Sequence, residues 1–155
     1  MDYSTAIKSG NLAAVKELVE QDHDINSADT RGFTPLILAS YFNQSDIVNF
    51  LLDHGVEVDK IDSAGHTALL GAAFKGFQEI VSILLRHKAN VNHTGKNGST
   101  ALIYAAGFGH ADVVSLLIAH GANQEIVDQN GMTAIHHAQS KGHQKIISIL
   151  QTTIG

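Results

Sequence analysis

Gly32-Phe33-Thr34-Pro35-Leu36 is the first of four copies of one short signature. The others are Gly65-His66-Thr67-Ala68-Leu69, Gly98-Ser99-Thr100-Ala101-Leu102 and Gly131-Met132-Thr133-Ala134-Ile135. Their glycines, at positions 32, 65, 98 and 131, follow one another at steps of 33 residues. A constant step of this length indicates a stack of one supersecondary unit, in which each copy contacts only its neighbours. It does not indicate a globular core wrapped around an active site.

The composition is that of a single domain. The chain has 155 residues, of which 44% are hydrophobic, and no apolar run approaches the roughly 20 residues that span a bilayer. The start, Met1-Asp2-Tyr3-Ser4-Thr5, has neither the basic nor the apolar region of a secretory signal, so we expect a cytoplasmic location. Because cysteine is absent, disulfides, thiolate zinc sites and cysteine nucleophiles are excluded.

The net charge of -5 is unevenly spread along the chain. Ten acidic and two basic residues lie between Glu17 and Asp62, whereas four acidic and six basic residues follow from Ser63 onward. This distribution argues against a nucleic-acid-binding protein, which needs a continuous basic stripe. It would suit a partner with a basic region facing the N-terminal half. The alternative is that these acids serve turns and helix starts at equivalent repeat positions.

Each unit is predicted to be a turn followed by two helices. In the second copy, Asp62 to Gly65 form the turn, and Thr67 caps a first helix that ends near Gly76. The second helix has one apolar face, built from Ile80, Val81, Leu84 and Leu85. After the second helices, Gly55 and Gly121 are expected to be left-handed caps. Asp22 and Lys88 stand at equivalent places, where a non-glycine residue costs about 1 kcal/mol if the conformation is kept.

Three motifs together resemble the ankyrin repeat consensus: the signature above, Ala105-Ala106-Gly107-Phe108-Gly109-His110, and Leu51-Leu52-Asp53-His54-Gly55. The resemblance covers residues 29 to 151 without insertion. It implies an all-α solenoid of stacked helix-turn-helix repeats with short β-turn or hairpin tips. The implied division is a truncated N-terminal capping repeat at 1–28, full repeats at 29–61, 62–94 and 95–127, and a C-terminal capping repeat at 128–155. The truncated repeat lacks the turn and the Thr-Pro-Leu motif.

Catalysis is not predicted, and neither is a cofactor. The constant 33-residue step leaves no inserted loop for a catalytic constellation, and no nucleotide-binding or metalloprotease motif is present. The ten histidines raise the question of a metal site, but equivalent residues of adjacent repeats should lie about 8–10 Å apart, too far to share one zinc ion. The rival hypothesis is a metal-dependent or enzymatic protein that uses His136, His137 and His143 of the last repeat. Clustered histidines could also make binding pH-sensitive.

The resemblance implies that turn tips and first helices line a concave surface, where side chains that differ between copies are candidates for contact. Four aromatic residues near the ends of first helices, Tyr41, Phe42, Phe74 and Phe108, form what we call the aromatic strip. Large aromatics and arginine are the usual anchors of protein interfaces. The alternative is that these rings pack between repeats. The candidate partner-binding residues are Arg31, Phe33, Tyr41, Phe42, His66, Phe74, Lys75, Asn97, Ser99, Phe108 and Met132.

The sequence therefore predicts a non-catalytic protein–protein interaction module. It would bind a protein partner through its concave face, as an adaptor, inhibitor or sequestering protein. We expect a monomer that binds neither nucleic acid nor membranes. A third interpretation is a structural module cut from a longer chain; the start at Met1 and the short tail after the last repeat argue against it.

Overall fold

The computed structural model describes residues 1–154, and within them the chain forms ten helices and no strands. In chain order the helices are α1 (Tyr3–Lys8), α2 (Leu12–Glu20), α3 (Pro35–Tyr41), α4 (Ser45–Asp53), α5 (Ala68–Lys75), α6 (Gln78–Arg86), α7 (Ala101–Gly107), α8 (Ala111–Ala119), α9 (Ala134–Lys141) and α10 (Gln144–Ile154). No helix in this range is both long and apolar enough to span a bilayer.

The helices form two rows. The odd-numbered helices, called here the inner helices, pack each on the next, and the even-numbered outer helices do the same behind them. Small residues such as Ala72 and Ala105, both fully buried, let the inner helices approach closely. The core continues between the rows through Ile47, Ile80 and Val113, each no more than 1% exposed. These features confirm the predicted all-α solenoid.

The threonine of each signature begins an inner helix. The hydroxyl oxygens of Thr34, Thr67 and Thr100 accept hydrogen bonds from the backbone N–H three residues later, at 3.2, 3.3 and 3.2 Å. Such a bond satisfies one of the amide groups that the first helical turn leaves unpaired. Thr133 makes the same bond to His136, whose ring Nδ1 accepts in return from the Thr133 N–H at 3.1 Å. The predicted caps are confirmed.

The helix ends use the left-handed conformation where the sequence indicates it. Gly76, which ends α5, has φ 77°, and Gly55 and Gly121 have φ 78° and 87° after the outer helices. Asp22 and Lys88 keep the same conformation at φ 61° and 65°. Since neither residue is glycine, each of these two loops carries the backbone strain that the alignment of the copies predicts.

The first helix pair is more complete than the motif suggests. α1 and α2 form a full hairpin, and α1 packs on α3 as the later inner helices pack on one another. Asp2 takes the place of the signature threonine, because its carboxylate accepts a hydrogen bond from the Thr5 N–H at 2.8 Å. The N-terminal unit therefore lacks only the tip.

The tips are turns that touch their neighbours through single backbone hydrogen bonds. Each tip closes on itself with a bond such as Asp62 N–H to the His66 carbonyl, at 3.0 Å. Adjacent tips are joined by the bonds Ser63 N–H to Arg31, Lys96 N–H to Ala64 and Gln129 N–H to Asn97, at 3.0, 3.1 and 2.9 Å. The tips are hairpin-like turns, and they form no strand within the described residues. This ladder keeps them in register in front of the inner helices.

Candidate functional site

A groove of about 400 Å³ lies between the first tips and the inner helices α1, α3, α5 and α7. Its floor includes Leu70 and Thr67, each 1% exposed. Its wall on the helix side carries Tyr41, Phe42 and Phe74, and its wall on the tip side carries Arg31, Phe33 and His66. This feature is called the groove below.

The aromatic strip is exposed. Tyr41, Phe42, Phe74 and Phe108 are 44%, 39%, 36% and 55% accessible, whereas Leu69 on the same helix as Phe74 is fully buried. Tyr41 and Phe42 meet edge to face with ring centroids 5.7 Å apart, and Phe74 meets Phe108 at 4.6 Å. Such pairs hold the rings in fixed orientations. The rings of the strip thus contact one another, in part between repeats, while more than a third of each stays exposed.

Cations lie over three of the aromatic faces around the groove. The Arg31 guanidinium is 4.5 Å from the centre of the Phe33 ring, Lys75 Nζ is 4.9 Å from that of Tyr41, and Lys8 Nζ is 5.8 Å from that of Phe42. These distances are those of cation–π contacts. The ring faces therefore already have cationic partners from the chain itself.

Tyr104 of α7 is a member of the groove that the sequence analysis missed. Its hydroxyl lies 2.9 Å from His66 Nε2 and accepts a hydrogen bond from Asn97 Nδ2 at 3.1 Å, while its ring meets Phe74 edge to face at 5.8 Å. It joins two tips to the aromatic strip. Its position in the repeat could have indicated this, because the equivalent residues of the four inner helices α3, α5, α7 and α9 all differ.

The eleven predicted contact residues do not all come together. Arg31, Phe33, Tyr41, Phe42, His66 and Phe74 line the groove. Lys75 covers Tyr41 at the rim, Phe108 extends the strip beyond Phe74, and Asn97 acts through Tyr104. Ser99 is only 5% exposed, because it lies inside the third turn, where its N–H bonds to Asn97 Oδ1 at 3.0 Å. Met132 is half-buried in the fourth tip and does not line the groove.

Aspartates hold the first, second and fourth tips. In each, one carboxylate oxygen accepts from the N–H groups two and four residues later, at 2.8 and 3.0 Å for Asp29 and at 2.9 and 3.1 Å for Asp128. Burial opposes ionisation of Asp29, but the bonds from Phe33 and Arg31 and the Arg31 charge outweigh it and hold the pKa of Asp29 below its usual value. Asp62 accepts the same pair of bonds.

The third tip has Gly95 where the others have aspartate, and the groove explains this exception. A Cβ at position 95 would lie 2.7 Å from His66 Cδ2, a distance that no real side chain shows. His66 therefore leans over Gly95 to reach Tyr104. The loss of the aspartate in one tip is coupled to the position of a groove residue in the tip before it.

The histidines bond mainly to the backbone. In the ladder of His54, His87 and His120, Nδ1 donates to the carbonyl four residues earlier, at 2.8, 3.0 and 2.9 Å. His110 and His143 reach back to the inner helix of the preceding repeat, at the carbonyls of Phe74 and Gly107. No group of three potential metal ligands occurs in the described residues.

The three histidines of the rival metal hypothesis have separate partners. His136 belongs to the cap of α9, His137 Nε2 lies 2.7 Å from the Asp128 carboxylate, and His143 reaches Gly107. Burial raises the pKa of Asp128, but the bonds from His137, Met132 and Asn130 outweigh it and hold that pKa below its usual value. Each of the three histidines thus makes its own structural contact, and their ring nitrogens do not converge on one point.

Charge is divided between the two rows of helices. The inner helices contain no acidic residue, and three of them end with lysine, namely Lys8, Lys75 and Lys141. Apart from Asp2, which caps α1, the acids of the N-terminal half lie on the outer helices, as Glu17, Glu20, Asp46 and Asp53 do, in the loops after them and in the tips. The groove itself is lined by Asp62 as well as by Lys8 and Arg31, so its charge does not favour a basic partner.

Comparison with known proteins agrees with this architecture. The family described as ankyrin repeats, in three copies, matches residues 4–95 and 87–154. Human ankyrin repeat and SAM domain-containing protein 3 is 40% identical over 57 residues, which are 36% of this chain and 9% of that protein. Human DNA-binding protein RFXANK is 47% identical over 49 residues (31% and 19%), and mouse 2-5A-dependent ribonuclease is 42% identical over 53 residues (34% and 7%). The chain thus spans less than a fifth of the length of these relatives.

Proposed function

The chain belongs to the ankyrin repeat family, and we propose that it is a non-catalytic module whose groove holds a segment of a partner protein. Ankyrin repeats are generally protein–protein interaction modules and are generally non-catalytic. We assign the repeats to residues 1–28, 29–61, 62–94, 95–127 and 128–155, the first and last acting as caps. The protein would act as an adaptor, inhibitor or sequestering protein by occupying a partner's surface.

The observation that carries the proposal is an exposed aromatic strip beside a preformed groove. Interfaces draw most of their binding energy from a few large, rigid side chains that become desolvated on contact. Tyr41 and Phe74 are such side chains, since each is held by ring contacts and yet more than a third exposed. Because the rings are already ordered, binding loses little side-chain freedom.

We propose the contact residues on the basis of their place in and around the groove. They are Arg31, Phe33, Tyr41, Phe42, His66, Phe74 and Lys75, with Tyr104 added and Phe108 at the edge. Asn97 is assigned the role of holding Tyr104 in place. Ser99 and Met132 lie outside the groove and are not included.

Capture of partners from native lysate tests the proposal. Immobilised wild-type protein is compared with a Tyr41→Ala/Phe74→Ala double variant and with an Asn49→Ala/Ser115→Ala control, whose changes are exposed on the outer helices α4 and α8. We expect a protein that the wild type and the control retain and that the double variant loses by at least about tenfold, which corresponds to about 1.4 kcal/mol. Equal retention by all three forms, at equal melting temperatures, would contradict binding through the groove.

A further inference from the structure

Gly71 lies in the interior of α5, where neither the backbone conformation nor the packing requires glycine. Its φ is not among the positive values of the chain. The nearest atom to an added Cβ would be Tyr41 Cδ2 at 4.0 Å, an ordinary contact distance. Glycine at such a position lowers helix stability by about 1 kcal/mol relative to alanine. No contact within the folded chain offsets this loss of helix stability, which points to a group from another molecule.

The missing side chain leaves an opening one residue wide. The same position of the two neighbouring inner helices, 33 residues before and after, is filled by Leu38 and Tyr104, and both line the groove. Tyr41 and Phe74 stand on the same wall, one turn further along the inner helices. We call this space the Gly71 slot. Its surroundings are largely apolar, so they favour an apolar occupant.

The rim of the slot is positively charged although the whole chain is negative. Lys8 and Arg31 line the groove and Lys75 lies over Tyr41 at its rim, and within the described residues Lys8 and Lys75 form no ion pair. Arg31 lies 3.7 Å from Asp29 at a distance typical of an exposed pair, and Asp62 is engaged by its own turn. The three cations Lys8, Arg31 and Lys75 thus outnumber the two acids Asp29 and Asp62 around the groove, and this small excess of positive charge complements a negatively charged segment.

We propose that the Gly71 slot receives one bulky apolar side chain, of the size of leucine or phenylalanine, from an extended acidic segment of the partner protein. The inference rests on the proposed function and specifies the chemistry of the segment. Carboxylates on either side of the anchor meet Lys8, Lys75 and Arg31. A cationic ligand is disfavoured because the chain's own cations already lie over the rings of Phe33, Tyr41 and Phe42. Single-stranded nucleic acid fits less well, since it requires a longer basic track.

Selection from a random peptide display library tests the inference. The library is selected on the wild type and counter-selected on Gly71→Leu, which fills the slot and leaves the surrounding side chains unchanged. We expect a consensus of one large apolar residue flanked by Asp or Glu. Fluorescence anisotropy should show selected peptides binding Gly71→Leu at least about tenfold more weakly, and binding Lys8→Glu/Lys75→Glu more weakly with a reduced dependence on salt.

Two controls separate slot filling from unfolding. Gly71→Ala adds only a methyl group at an ordinary contact distance, so it should keep most of the affinity. Selected peptides whose apolar anchor is replaced by alanine probe the same contact on the unaltered protein. They should lose affinity to a similar extent even if Gly71→Leu has a lowered melting temperature.

The remaining outcomes overturn the inference. A basic consensus, a consensus without an apolar anchor, or no peptide that prefers the wild type to Gly71→Leu would each reject it. So would an oligothymidine probe that binds the wild type and is lost in Gly71→Leu, since that assigns the groove to single-stranded nucleic acid. If the partner captured from lysate depends on Tyr41 and Phe74 but binds Gly71→Leu equally well, the proposed function stands and the inference alone fails.

Discussion

At the scale of single residues, three glycines differ in what requires them: the backbone conformation, the surrounding space, or neither. Gly76 has φ 77°, and a Cβ there would lie 2.5 Å from His110 Nδ1. Gly142 has an equivalent φ of 72° but nothing within 4 Å of such an atom. Gly71 has neither constraint. The same residue type thus occupies three positions with different structural requirements.

We expect opposite effects when these glycines are changed to alanine. Gly71→Ala should raise the free energy of unfolding by about 1 kcal/mol through helix propensity. Gly142→Ala should lower it by about 1 kcal/mol through the left-handed backbone, and Gly76→Ala should lower it further because the His110 ring must move. Urea denaturation measures all three. Equal losses at positions 76 and 142 would show that the ring yields without cost.

Ser40 carries an unsatisfied hydroxyl in the core. It is fully buried in α3, its oxygen has no hydrogen-bond partner among the described residues, and the next two copies have alanine in its place, Ala73 and Ala106. Ser40→Ala should therefore raise the free energy of unfolding by about 1–3 kcal/mol, since a buried unpaired polar group costs about that much. Ser115→Ala, exposed on α8, measures the helix-propensity contribution alone. No excess over this control would mean that the hydroxyl finds a partner.

At the scale of elements, the first and fourth tips depend on ionised aspartates. The pKa of Asp128 and that of Asp29 are lowered in the folded state. A lowered carboxyl pKa stabilises the fold above the unfolded value of about 3.9, and this contribution is lost as the pH falls through the folded pKa. The first and fourth tips should consequently be the first elements to weaken in acid.

Asp128→Asn tests this pH dependence. The amide oxygen can still accept the two turn hydrogen bonds, but the side chain no longer titrates. We expect the variant to be less stable than the wild type at pH 7 and to lose less stability between about pH 5 and pH 3. Gln129→Ala, exposed in the same tip, should keep the wild-type profile. Parallel profiles for Asp128→Asn and the wild type would exclude the carboxylate as a source of acid sensitivity.

The helices and their caps can be predicted from the periodicity of the sequence, whereas the groove depends on contacts between side chains of neighbouring repeats. Repeating the signature predicts the threonine caps and the left-handed positions of Asp22 and Lys88, because these are set by local sequence. The groove depends on which side chain of one repeat faces the next. The coupling of His66, Gly95 and Tyr104 crosses 38 residues, so reading repeats one at a time does not reveal it. The Gly71 slot exists because the equivalent residues of the two neighbouring repeats, Leu38 and Tyr104, have large side chains.

At the scale of the whole molecule, folding and binding use different side chains. Leu69 is fully buried, and Phe74, five residues further along α5, is 36% exposed. Leu69→Ala should cost about 2–5 kcal/mol of stability, as for buried leucines in general. Phe74→Ala should leave the melting temperature nearly unchanged and weaken partner binding. Thermal denaturation with a binding titration distinguishes them, and a large loss of stability in Phe74→Ala would return that ring to the core.

The absence of carboxylates on the inner helices also acts beyond contact range. On the outer helices the acids outnumber the bases, whereas the inner helices carry lysines and no acid, so we expect an electric dipole moment across the stack. We expect such a field to orient an acidic protein and to attract it toward the groove side before contact. Association rate constants should therefore exceed those of an uncharged pair and fall steeply with ionic strength, while dissociation stays nearly constant.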